Sequence, residues 1–165
     1  MQESTYENDI ENGPLVAYYV SGVPKIETNL KDGRRNGLHK EYYKSGSIKF
    51  EIPYKNGLVE GLTKEYLESG NLNYECEVRQ SKREGICKQY YDSGVLKYEA
   101  SFSGDELSGF LRYYYESGDL KNESNYKDGQ LNGYNKSYYQ PGSVAKEIIY
   151  INGKAVSGFL YKKDG

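Results

Sequence analysis

Residues 40–57 read KEYYKSGSIKFEIPYKNG. Ile48, Phe50, Ile52 and Tyr54 fall at every second position with Lys49 and Glu51 between them, the pattern of a strand with one apolar face. The residues before it, GLHKEYY at 37–43, are aromatic and compatible with a second strand. Ser45-Gly46 lies between the two and predicts a tight turn, because glycine accepts a positive φ. Asn56-Gly57 closes the stretch with another turn signal. The whole predicts one β-hairpin and a reversal into the next element.

The same grammar recurs along the chain. Gly13, Gly37, Gly61, Gly85, Gly109 and Gly133 follow one another at 24-residue spacing, and Gly158 comes 25 residues after the last. Six units and the start of a seventh result. With each such glycine as position 1, position 6 is Tyr18, Tyr42, Tyr66, Tyr90, Tyr114 and Tyr138. Position 7 is tyrosine, as in Tyr43, Tyr91 and Tyr115, except at Leu67. Position 10 is glycine throughout, and position 15 is Glu27, Glu51, Glu75, Glu99, Glu123 and Glu147. The predicted fold is all-β: an elongated, single-layer, twisted antiparallel sheet of tandem hairpins spanning 13–165, with no helix. At about 4.8 Å per strand such a sheet extends for roughly 60 Å.

A two-residue loop at Ser45-Gly46 would set position 4 opposite position 15. Lys40, Lys64, Lys88, Arg112 and Lys136 would then face Glu51, Glu75, Glu99, Glu123 and Glu147, giving a charge ladder that fixes register more than it adds stability. A bulged turn would shift the pairing by one residue and break the match. Both geometries are open at this point.

Composition narrows the function classes. The chain has 165 residues, 20 of them tyrosine and none tryptophan, so burial falls to rings that tolerate a half-wet surface and the core is expected to be shallow. With 22 basic and 24 acidic residues the net charge is −2, which offers no field for nucleic acid or anionic lipid and slightly favours a basic partner. Cys76, Cys87 and the single His39 are too few for a zinc site, and the cysteines read as reduced packing thiols of a cytoplasmic protein. No signal-peptide pattern and no apolar run long enough to span a membrane occur in the sequence. Six equivalent glutamates facing cations lack the divergent environments of a catalytic acid–base pair. No catalytic residue, metal ligand or cofactor site is expected.

The unit G-x-x-x-x-Y-Y-x-S-G-x-L-x-x-E-x-x-Y-x-x-G resembles the MORN repeat, in the variant form found in bacteria and associated with the antitoxin half of toxin–antitoxin pairs. The resemblance runs from Gly13 to Gly165. It implies tandem hairpins and a binding role without catalysis: an antitoxin or immunity-type inhibitor that contacts a toxic enzyme, such as a nuclease, directly. Eukaryotic members imply two rivals, an assembly scaffold and a phospholipid-binding surface.

Departures from the repeat mark candidates for specificity. VRQSKREG at 78–85 places Arg79, Lys82 and Arg83 around a turn with no glycine, and FSGDELSG at 102–109 brings in Asp105 and Glu106. INGKAVSG at 151–158 carries an extra residue. Residues 1–12, with Glu3, Glu7, Asp9 and Glu11, read as an acidic leader that is either disordered or a cap. The candidate partner-binding residues are therefore Tyr42, Tyr43, Tyr66, Tyr90, Tyr91, Tyr114, Tyr115 and Tyr138, with the charged turns. The expected partner is a protein, with no role for nucleic acid. Exposed end strands also admit a homodimer.

Overall fold

The computed structural model describes residues 2–7 and 9–163, which divide into two compact units, 1–82 and 83–165. The first contains β1 (Gln2–Glu7), β2 (Ile10–Tyr18), β3 (Pro24–Lys31), β4 (Arg34–Arg35), β5 (Gly37–Tyr42), β6 (Ile48–Lys55), β7 (Leu58–Val59), β8 (Gly61–Tyr66) and β9 (Leu72–Arg79). Its long strands pair antiparallel in chain order, and the short β4 and β7 pair with β3 and β6. The second contains β10 (Lys82–Tyr90), β11 (Leu96–Ser103), β12 (Glu106–Tyr114), β13 (Leu120–Lys127), β14 (Gln130–Tyr138), β15 (Val144–Ile151) and β16 (Lys154–Leu160), again antiparallel in chain order. No helix occurs among the described residues, so the fold is all-β tandem hairpins, as the repeat predicts.

The hairpin turn differs from the two-residue loop, and the difference explains the register. Tyr43 N–H donates to the Ser47 carbonyl at 2.9 Å, and Gly46 N–H to the Tyr43 carbonyl at 3.0 Å. The loop is therefore Lys44-Ser45-Gly46, with Gly46 at φ 91° in the left-handed region. Tyr42 pairs with Ile48, but the next pair is Glu41 with Phe50, so Lys49 bulges out of the ladder. The longer loop moves the register one way and the bulge moves it back. Lys40 ends opposite Glu51, as a two-residue loop would have placed it.

Between units the chain reverses through tight turns in which both central residues have positive φ, such as Asp32 at 52° and Gly33 at 71°. Such turns match the strand twist. A bulge follows at the first residue of a unit, as at Gly109 and Gly133. In Gly133, at φ 112°, a Cβ would stand 3.1 Å from the Asn125 Cβ. Glycine at this position is thus required by both conformation and space.

The disordered alternative for the leader and the reduced state of the cysteines both give way in the structure. The segment ahead of Gly13 forms β1 and the start of β2, with Glu3 paired to Val16. Glu3 and Tyr6 stand where other units carry Glu27 and Tyr54, so this segment follows the repeat. The described cysteines are not reduced thiols: Cys76 and Cys87 are disulfide-bonded and have relative exposures of 1% and 0%. The buried set is small, being Leu30, His39, Cys76, Cys87, Ala100 and Ser124 among the described residues, and it follows one face of the strands.

Candidate protein-binding surface

One face carries the charge ladder. In the first unit Lys40 lies opposite Glu27 and Glu51, and Lys64 opposite Glu51 and Glu75. In the second, Lys88 pairs with Glu99, Arg112 with Glu99 and Glu123, and Lys136 with Glu123 and Glu147. Side-chain distances vary more than the register does. Lys40 Nζ is 3.9 Å from Glu51, Arg112 is 3.3 Å from Glu99 and 3.6 Å from Glu123, and Lys136 is 3.4 Å from Glu147.

The tyrosines complete this ladder in a way the sequence reading missed. Tyr42 donates its hydroxyl proton to Glu27 at 2.6 Å, Tyr66 to Glu51 at 2.9 Å, Tyr114 to Glu99 at 2.8 Å and Tyr138 to Glu123 at 2.5 Å. Each glutamate in these pairs accepts from a tyrosine 15 residues on while facing a cation. Burial, then the bond to the carboxylate, pushes the phenols of Tyr42, Tyr66 and Tyr114 up to about 12, and raises that of Tyr138 further. The constant 15-residue offset was visible in the sequence as the two uniform columns.

A second tyrosine row runs beside it. Tyr19, Tyr43, Tyr91 and Tyr115 donate to the backbone carbonyls of Tyr42, Tyr66, Tyr114 and Tyr138, at 2.7–3.1 Å. The bulge lysine of the same hairpin lies over each ring: Lys25 on Tyr19, Lys49 on Tyr43, Lys97 on Tyr91 and Lys121 on Tyr115, at 5.4–5.9 Å from the centroid. Where the ring is replaced by Leu67, the bulge residue is Asn73. The match is not strict, since Tyr139 keeps the ring in a hairpin whose bulge residue is Ala145.

These bonds redistribute the candidates. Tyr42, Tyr43, Tyr66, Tyr91, Tyr114, Tyr115 and Tyr138 use their hydroxyls to hold hairpins together, and Tyr90 is half-buried in the same row. Arg83 and Asp105 are also engaged with each other: Nε reaches Oδ1 at 3.1 Å, and the guanidinium lies 4.1 Å from the Phe102 ring centroid. Arg79, Lys82 and Glu106 remain exposed at strand ends.

The other face of the first unit holds an open groove of about 380 Å³ lined by Phe50, Ile52, Tyr54, Val59, Thr63, Lys64, Glu65, Tyr74, Val78 and Ser81. Sequence reasoning named none of these as contact residues except Lys64, which it placed in the ladder. The reason is that alternation predicts an apolar face without predicting where that face stays unfilled. In the second unit Tyr113 leans on Tyr98, with centroids 5.7 Å apart. No three His, Cys, Asp or Glu side chains converge on a metal-sized site, and no helix is long and apolar enough to cross a membrane, among the described residues.

Comparison with curated proteins finds no match. The family model described as the MORN repeat variant matches residues 35–56, 59–80, 83–103 and 111–128, half of the chain. Those segments are the hairpins whose tyrosine and glutamate rows are described above, and the chain belongs to the MORN repeat variant family.

Proposed function

We propose that this chain is a non-catalytic protein-binding repeat protein that acts as an antitoxin or immunity-type inhibitor, covering the basic surface of a toxic enzyme. The observation that carries the reading is the groove of the first unit: a recess lined mainly by apolar and aromatic side chains, on a sheet whose other tyrosines and charges bond to one another. The fold is generally non-catalytic, and the ladder orders side chains without activating a nucleophile. A net charge of −2 supports a basic partner. Co-expression with the product of the adjacent gene tests it: co-purification and relief of toxicity are expected, and a harmless neighbour that does not bind overturns it.

A second reading, self-association as an assembly scaffold, is favoured by β16, where Val156, Phe159 and Leu160 are 55%, 59% and 81% exposed. Light scattering across a concentration series separates the two, because a scaffold forms larger species alone. Binding to a membrane surface is less supported, since the ladder pairs its cations with acids. The bonded state of Cys76 and Cys87 fits an oxidising compartment better than the cytoplasm.

A further inference from the structure

We infer that the groove of the first unit captures an arginine side chain of the partner protein, with Glu65 as counter-ion and the rings of Phe50 and Tyr74 as walls. The inference deepens the protein-binding reading and rests on it. Glu65 lies on β8, directly opposite Phe50 on β6 and Tyr74 on β9. Side chains so paired have Cβ atoms about 5 Å apart, so the carboxylate is flanked by an aromatic residue on each side.

Glu65 is half-buried, and among the described residues no ion pair or hydrogen bond reaches it. Its neighbour Lys64 also borders the groove, but alternation along β8 turns that side chain toward the ladder face, opposite Glu51 and Glu75. Lys49 Nζ lies 5.2 Å from the Phe50 ring centroid but makes no ion pair with Glu65, so the half-buried carboxylate keeps both oxygens for an incoming donor.

The equivalent position is satisfied internally in two other hairpins. Glu41 contacts His39 at 3.3 Å, and Tyr113 packs on Tyr98. Glu65 alone among these combines an unmatched charge with flanking rings and open space. A guanidinium suits it better than an ammonium, because the flat group stacks against aromatic faces while its forked N–H groups reach both carboxylate oxygens.

The test is an NMR titration of the full chain with N-acetyl-arginine methylamide, with the neutral citrulline analogue in parallel. Arginine is expected to shift amides of Phe50, Thr63, Glu65, Tyr74 and Val78 with a Kd on the order of millimolar, typical of a single-side-chain ligand. Citrulline and the variant Glu65→Gln are each expected to bind at least about tenfold more weakly, the loss of one charge-assisted contact. Added salt is expected to weaken arginine binding further. Equal binding of citrulline, undiminished binding by a Glu65→Gln protein of unchanged melting temperature, or shifts outside the groove would overturn the inference. The toxin co-expression result is read independently: a partner still bound by Glu65→Gln sinks the arginine site and leaves the inhibitor standing, whereas arginine binding without a toxic partner does the reverse.

Discussion

The hydroxyl of Tyr42 donates to Oε2 of Glu27 across 2.6 Å, so a tyrosine at the sixth position of one repeat is held by the acid of the repeat before it. Burial and this bond keep the Tyr42 phenol protonated to about 12, and the same holds for Tyr66 and Tyr114. A group whose folded pKa exceeds its unfolded value of 10 contributes stability that is intact below 10 and disappears as pH rises through the folded value. Alkaline denaturation is expected between pH 10 and about 12. Phenolate absorbance at intermediate pH is expected to show a group of tyrosines titrating late, and a single ordinary transition for all tyrosines would contradict it.

The lysine-on-tyrosine row makes a graded prediction. Lys121→Ala removes the cation 5.4 Å from the Tyr115 ring and is expected to cost about 0.5–1 kcal/mol in urea unfolding. Tyr115→Phe keeps the ring but loses the bond to the Tyr138 carbonyl, for about 1 kcal/mol. Asn73→Ala, at a bulge without a tyrosine partner in its hairpin, is expected to change stability by less than about 0.5 kcal/mol.

Gln80 and Ser81 form an inter-unit turn with φ of 49° and 63° and no glycine. Side chains other than glycine and asparagine are strained there. Gln80→Asn alone is expected to raise stability by up to about 1 kcal/mol, seen as a higher denaturant midpoint, whereas Ser81→Gly is expected to gain little because Ser81 Oγ accepts from the Val59 N–H at 3.0 Å.

His39 is fully buried, its Nδ1 has no hydrogen-bond partner, and burial lowers its pKa despite the opposing bond to Glu41. Its folded pKa lies below the unfolded value of 6.5, so the unfolded chain takes up the proton first. Stability is complete above 6.5 and falls as pH drops from there toward the folded value. His39→Leu, the residue at the same position in the hairpin of Leu111, is expected to flatten melting temperature across that window.

Alkylation of the denatured, unreduced protein is expected to label neither Cys76 nor Cys87. Labelling of both in protein taken directly from cells would restore the reduced, cytoplasmic expectation.

Periodicity made the hairpins, their boundaries and the pairing of Lys40 with Glu51 legible before any coordinates. The sequence leaves a two-residue loop and a bulged turn open at Ser45-Gly46; the structure has a three-residue loop, and Lys40 still meets Glu51 because Lys49 bulges by the same amount. Glu3 stands 24 residues before Glu27 and Tyr6 stands 48 before Tyr54, so the spacing of the repeat already extends into the acidic leader. The tyrosines were harder, because a half-wet ring suits an interface and an internal bond equally well.

By itself the sequence determined which residues share a row, because a 24-residue spacing repeated over antiparallel hairpins brings equal positions to equal places. Only the tertiary structure decided what those rows do. Whether Tyr66 meets Glu51 or solvent, and whether the recess beside Glu65 is filled or open, depends on side-chain direction and local bulges. Those are set by packing between neighbouring hairpins, which spacing alone does not encode.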